Sequence, residues 1–153
     1  MSLDSFFTRL NPLIARILRS PLHFLLSFGL MLITVTGRRS GRSYTIPVGY
    51  QRVDDGLVVM VSRARSKQWW RNYREPSPVA LRLRGREVLG RAELVAPASD
   101  EFRRYAEGTF RRLPRLGGQF GIDYQRSIGL TDAQVEHLRA EAAIVRVELD
   151  DLA

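Results

Sequence analysis

Short apolar, β-branched runs and segments in which apolar and polar positions alternate fill the middle of this chain, and both predict β-strands. Leu30 to Thr36 is apolar and β-branched. Tyr44 to Val53 is a second strand, with Pro47 confining it to a sheet edge or a bulge. Asp54-Asp55-Gly56 reads as a hairpin turn leading into Leu57 to Ser62. Val79 to Arg84 sets Val79, Leu81 and Leu83 on one face against Arg82 and Arg84 on the other. Gly85 turns the chain, Glu87 to Val95 returns, and Ile144 to Leu149 alternates once more. The pattern gives about six mostly antiparallel strands, enough for a small barrel whose closure removes exposed edges.

A helical period appears elsewhere. Residues 3–19 place Leu3, Phe6, Phe7, Leu10, Leu13, Ile14, Ile17 and Leu18 on one face and Arg9, Arg16 and Arg19 opposite. Asn11-Pro12 divides this segment into two short helices, and Ser20-Pro21 starts another that stops at Gly29. Such a basic amphipathic face either packs on a core or lies on an anionic membrane. Ser66 to Glu75 predicts a short helix carrying Trp69, Trp70 and Tyr73. Ser99-Asp100-Glu101 opens a helix to about Arg112, and Thr131 with Gln134 is a capping box for one to about Ala140. Between them, Pro114 to Asp123 reads as a flexible glycine-rich loop. No linker or repeat divides the chain, so residues 1–153 are expected to form a single domain with an N-terminal helical extension, 1–29.

The uncharged stretch Ser20 to Gly37 comes near the length of a membrane span. Its Ser20-Pro21 start, His23, Ser27 and Gly29, and its β-branched end instead predict a helix followed by a strand. No secretory signal pattern opens the chain, so a cytoplasmic protein is expected, with membrane association left to residues 3–19.

Composition removes several chemistries. The 153 residues are 44% hydrophobic and 26% charged, as in ordinary globular proteins. Cysteine is absent, which excludes disulfides, thiolate catalysis and Cys-based metal sites. His23 and His137 are the only histidines, too few for a His-rich metal centre, and no metal is expected. The net charge of +8 comes almost wholly from arginine, Lys67 being the one lysine. An anionic partner would explain that excess, and so would an arginine-rich coding bias. Nucleic acid is disfavoured, because no recognised nucleic-acid-binding spacing accompanies the charge.

The densest candidate feature is Thr36-Gly37-Arg38-Arg39-Ser40-Gly41-Arg42-Ser43. Glycines allow close backbone approach, and hydroxyls with guanidinium forks bind phosphate or carboxylate oxygens. It is not a P-loop, because no Gly-Lys-Ser/Thr follows. A solvated basic turn is the plainer reading. The second feature, Ser62 to Tyr73, interleaves Arg63, Arg65, Lys67 and Arg71 with Trp69, Trp70 and Tyr73. Two adjacent indoles point in different directions, so one faces a core and the other solvent or a ligand.

These segments together resemble the deazaflavin (coenzyme F-420)-dependent nitroreductase family, also described as nitroreductase/quinone reductase-like. The resemblance runs in order through roughly residues 20–95: Leu32 to Arg42 with its Thr-Gly-Arg-Arg-Ser-Gly element, Thr45-Ile46-Pro47-Val48-Gly49-Tyr50, Val61-Ser62 and Trp69-Trp70-Arg71-Asn72. It implies a split β-barrel with flanking helices, of the FMN-binding type, in the α+β class. It implies hydride transfer from reduced F-420 to a quinone, enone or nitro acceptor. By the same resemblance Arg38, Arg39, Ser40 and Gly41 would hold the phosphate and polyglutamate tail. Pro47, Val48 and Gly49 would line the ring through backbone groups, and Ser62 would sit beside it. Trp69 and Asn72 would close the tail-side wall. Ser62, Tyr50 and Tyr124 are the candidate hydrogen-bond donors for catalysis.

The chain departs from that pattern in two places. Arg63 to Gln68 is shorter than the corresponding family loop and lacks its Gly-Gly and His/Asn-Pro elements. The tyrosine-rich C-terminal segment is reduced to Phe120, Tyr124 and the strand near Val145. FMN is therefore the alternative cofactor. A non-catalytic flavin-, deazaflavin- or lipid-binding module at a membrane surface is the alternative function. The open edge of a split barrel leaves room for a homodimer.

Overall fold

A computed structural model describes Arg16, residues 29–54 and residues 56–150. The helices read from residues 3–19 and 21–28, and Asp55 of the first hairpin, lie outside the described residues.

The alternating segments pair into one antiparallel sheet of seven strands. These are β1 (Leu30–Thr36), β2 (Ser43–Gly49), β3 (Gln51–Val53), β4 (Gly56–Val61), β5 (Ser77–Leu83), β6 (Arg86–Leu94) and β7 (Ala143–Leu149). Their order is β2-β1-β5-β6-β7-β4-β3, so β2 and β3 are the two edges of the sheet. The segment Tyr44 to Val53 is thus two strands rather than one, which raises the count from six to seven. Tyr50 is the break, and its N–H donates to the Gly29 carbonyl at 3.0 Å. Edge strands joined by a single residue cannot lie far apart, so the sheet has to curl. The result is a split β-barrel.

Strand alternation then sorts the side chains. Register pairs Met31 with Val48, Ile33 with Ile46 and Val35 with Tyr44, all toward the barrel interior. The alternate pairs, Leu32–Pro47, Thr34–Thr45 and Thr36–Ser43, share the outer face. There the Thr34 and Thr45 hydroxyls meet at 2.9 Å, and those of Thr36 and Ser43 at 3.0 Å. Leu57, Val59, Val61, Val79, Leu81, Val88, Val145 and Val147 join them in the interior cluster. The opposite face of β4 and β7 offers Val58, Met60 and Ile144 to a helical layer.

That layer holds α1 (Asp100–Arg112) and α2 (Asp132–Glu141). Ser99 caps α1 through Phe102 N–H, and both arms of the Thr131–Gln134 capping box are formed on α2. Arg103 ties the two helices by bonding Asp132 at 2.8 Å and the Leu130 carbonyl at 3.1 Å. The expected flexible loop is largely a 3-10 helix, Pro114–Phe120. It is held because Phe120 packs edge-on against Phe110, ring centres 5.5 Å apart, and Gly117 is buried.

The β5–β6 hairpin turns on Arg84 and Gly85, with φ of 51° and 78°. Positive φ at both central residues is the turn geometry that matches strand twist. Gly56 answers a different demand: a Cβ there would collide with the Val147 carbonyl oxygen across β7. Gly56→Ala should therefore cost about 1–3 kcal/mol through overpacking. Gly118→Ala, where a Cβ meets nothing within 4 Å, should stay within about 0.5 kcal/mol of wild type. Denaturant unfolding of the two variants checks this.

Candidate functional site

The β1–β2 connection is a closed, rigid turn. Gly37 N–H donates to the Arg42 carbonyl at 2.8 Å, and Gly41 N–H donates to the Gly37 carbonyl at 2.9 Å. Gly41 has φ of 69°, and a Cβ on Gly37 would lie 2.7 Å from the Ser40 hydroxyl oxygen, so both glycines serve the turn itself. Ser40 accepts from Arg42 N–H at 3.2 Å and keeps its own O–H to donate. The turn projects Arg38, Arg39 and Arg42 into solvent. Among the described residues, neither Arg39 nor Arg42 forms an ion pair with a carboxylate. Two uncommitted guanidinium forks on a fixed backbone suit a phosphate or carboxylate ligand.

Ser62 to Asn72 forms the other half of the site. The expected helix over Ser66 to Glu75 is instead two 3-10 pieces, Ala64–Ser66 and Trp69–Tyr73. Arg63 takes a left-handed conformation, φ 49°, and tips the chain back after β4. The Ala64 carbonyl then accepts twice, from Lys67 N–H at 3.1 Å and from the Trp70 indole N–H at 2.8 Å. In a 3-10 helix residues i and i+3 eclipse, which stacks Asn72 above Trp69. The Asn72 side-chain amide donates to the Trp69 carbonyl at 2.8 Å, while its oxygen accepts from Arg38 N–H at 2.8 Å. That last bond fastens the basic turn to the tryptophan segment across 34 positions of sequence.

Both indoles meet the barrel cluster, Trp69 within it and Trp70 half-buried against it, so the expected division into a core and a solvent-facing indole is only partial. Trp69 is 8% exposed and packs edge-on against Tyr73 within the barrel cluster, ring centres 6.3 Å apart. It is a core side chain, so a tail-side wall would draw on Asn72 and Trp70. Trp70 is half-buried beneath the Arg71 guanidinium, 5.3 Å from its ring centre.

The ring-lining candidates belong to edge strand β2. Pro47 and Val48 face opposite sides of the sheet, Val48 toward the barrel cluster. Pro47, Val48 and Gly49 can act together only through their backbone, one side of which has no strand partner among the described residues. Tyr50 is half-buried against the barrel cluster, and because Gln51 pairs with Val58 it lies beside the middle of β4. Ser62 follows the end of β4 and is 3% exposed. Its carbonyl accepts from the Lys67 ammonium at 2.6 Å, and its hydroxyl lies 3.3 Å from the same nitrogen.

Tyr124 stands apart. It packs with Phe110 in the helical layer, on the face of the sheet turned away from the barrel cluster. Burial, reinforced by the Glu107 carboxylate, pushes its phenol up. The structure therefore does not bring Tyr124 together with Ser62 or the basic turn.

Two tyrosines that sequence reasoning passed over do sit beside that turn. Tyr44, the second residue of β2, lies on the inner face and is 41% exposed, and its phenol is raised by burial while Arg38 draws it down. Tyr73 is buried beneath it. The only sequence signal was position: one directly follows the basic turn and the other the Trp69–Asn72 pair. No group of His, Asp or Glu among the described residues could hold a metal ion.

A family profile described as F-420H(2)-dependent quinone reductase matches residues 21–125. The chain belongs to that family. No curated protein matches it by sequence. Among solved structures, it is similar to the FAD and heme binding protein from Mycobacterium smegmatis, at 19% identity and a TM-score of 0.52 over 88% of this chain and 68% of that one. It is also similar to HutZ, the heme storage protein from Vibrio cholerae, at 11% identity and a TM-score of 0.50 over 93% and 91% of the two chains. At such identities the likeness establishes the split-barrel fold alone. Among the described residues, no helix is long and apolar enough to cross a membrane.

Burial, and secondarily Tyr44, pushes the Tyr73 phenol from 10 up to about 12. A proton held more firmly in the folded chain stabilises the fold fully below pH 10 and progressively less as pH rises toward 12. Tyr73→Phe should therefore flatten the alkaline loss of stability over that window. Denaturant midpoints measured from pH 8 to 12 read this directly.

Proposed function

We propose that this chain binds reduced F-420 along the basic turn and the free edge of β2 and directs its hydride to a quinone, enone or nitro acceptor. The observation that carries the reading is the Arg38 N–H bond to Asn72 at 2.8 Å, which joins the family's two motif segments into one structure. When bound, the reduced deazaflavin supplies the hydride. The protein's part is orientation and charge placement. Arg38, Arg39 and Arg42 receive the anionic tail, with the Ser40 hydroxyl as a further donor. The β2 backbone from Pro47 to Gly49 faces the ring. Ser62, in low-dielectric surroundings, donates to the oxygen on which negative charge develops, with the Tyr50 phenol as the second candidate. Flavin is the competing ligand, since the Mycobacterium smegmatis neighbour is named for FAD.

Titration with F-420, FMN and FAD, followed by absorbance and fluorescence, tests the cofactor. Tight F-420 binding together with quinone reduction supports the proposal. Binding of FMN alone, or of F-420 with no reduction of any quinone, enone or nitro compound, would refute it.

Arg39→Ala should weaken F-420 binding by about 1–3 kcal/mol, the scale of a charge-assisted hydrogen bond. The loss should shrink at high salt, because the turn faces solvent. Isothermal titration at two salt concentrations separates the two terms. Ser62→Ala should slow menadione reduction by about 10–1000-fold while leaving the affinity for F-420 near that of wild type. Steady-state kinetics and a parallel binding titration check that split.

A further inference from the structure

Strand register gathers a second set of polar groups on the outer face of the sheet. Leu32 and Thr34 of β1 lie beside Arg82 and Ala80 of β5, Thr34 faces Thr45 of β2, and Arg82 faces Glu87 of β6. These six residues line a hollow of about 120 Å³. Ala80 brings only a methyl group to it, and Leu32, 2% exposed, gives it an apolar side. A water molecule occupies ~30 Å³, so the hollow has room for a small organic ion. Its donors are uncommitted. The Arg82 Nε is buried and has no hydrogen-bond partner among the described residues. Glu87 stands across from Arg82 in register, yet the two form no ion pair. The Thr34 and Thr45 hydroxyls lie 2.9 Å apart, so one donates to the other and the second keeps its hydrogen.

We propose that this hollow binds a carboxylate, with Arg82 and the remaining threonine hydrogen as its donors. The exposed arginines of the β5–β6 hairpin bond to water, whereas burial strips the Arg82 Nε of water and no protein acceptor replaces it. Buried donors in folded proteins are nearly all satisfied, so the hollow calls for an acceptor. One guanidinium balances one negative charge, and Glu87 on the rim repels a dianion such as phosphate. Leu32 and Ala80 suit the methylene groups that an organic carboxylate carries and a phosphate lacks. The carboxylate has two sources. One is a free short-chain acid. The other is the glutamate tail of the coenzyme, because the Thr36–Ser43 hydroxyl pair continues the same face toward the basic turn. The second source alone rests on the coenzyme reading above.

The test has two arms, both in the full chain. In the first, glutarate is titrated and followed by nitrogen–proton NMR. It should shift the Thr34 and Thr45 amides and the Arg82 Nε signal, with a dissociation constant of about 1–10 mM. Arg82→Met, which keeps the apolar stem, should weaken that binding at least about 10-fold, the scale of a charge-assisted hydrogen bond. Thr45→Val, the second variant should the methionine disturb the sheet, should weaken it about 3- to 10-fold. In the second arm, F-420 and the deazaflavin chromophore without its tail are titrated by fluorescence. A tail in the hollow predicts that Arg82→Met weakens F-420 about 10-fold and leaves the tail-less chromophore unchanged. A free acid predicts that neither affinity changes. Glutarate shifts that survive both substitutions, or no shift at these residues together with unchanged F-420 affinity in Arg82→Met, would overturn the proposal. A chain that binds glutarate at Arg82 but no F-420 keeps this site and refutes the coenzyme reading.

Discussion

The single residue between β2 and β3 governs the architecture. These strands are the opposite edges of a seven-stranded sheet, yet only Tyr50 separates them in the chain. One residue spans under about 4 Å, so the edges must meet there and the sheet must roll. The interior of that roll has to be filled to native density without unpaired polar groups. Met31, Ile33, Val35, Leu57, Val59, Val61, Val145 and Val147 do so from the strands. Trp69 and Tyr73 fill the remainder from the segment between β4 and β5.

The site grows out of this packing. The aromatic segment is anchored from within by Trp69 and Tyr73, so the polar groups along it, Asn72, Lys67 and the Ala64 carbonyl, are held as well. Asn72 fastens the basic turn from outside. A surface built from these two loops acquires the rigidity of a core element because one loop is tied to the other, whose Trp69 and Tyr73 are core. Arginine forks presented this way lose less freedom on binding than they would on a mobile loop.

Most of the fold was legible in the sequence because β-branched apolar runs and period-two alternation are local signals. β1, β5, β6 and β7, the Asp54–Gly56 turn, Ser99 and the capping box at Thr131 all follow from residues within a few positions of one another. The break at Tyr50 follows from the Gly29 carbonyl 21 positions away, and its one local sign is the slip in alternation at Arg52-Val53. The tryptophan segment has helical composition but adopts 3-10 geometry, because Ala64 accepts the Trp70 indole and Asn72 reaches Arg38. The motif residues Arg38 to Gly41, Ser62, Trp69 and Asn72 were visible as a pattern. Their division into solvent-facing, buried and core groups was not, nor was the contact of Lys67 with the Ser62 carbonyl, which follows a left-handed residue at position 63. Tyr124 shows the reverse error: a phenol picked for its chemistry belongs to the helical core.

Charge alone would not have located the site. Arginines are spread over the whole chain, and several have structural work: Arg103 joins the two helices, Arg126 donates to the Arg111 carbonyl at the end of α1, and Arg71 lies over Trp70. Others, such as Arg84, Arg86 and Arg91, are exposed on the β5–β6 hairpin. What sets Arg38 to Arg42 apart is the backbone beneath them, closed by Gly37, Gly41 and Arg42 and fixed to Asn72. A guanidinium on a strand face is a diffuse cation whose attraction salt screens. Guanidinium groups on a turn whose geometry is already set can meet an anion's oxygens as directed donors, and direction is what separates a binding site from a basic surface.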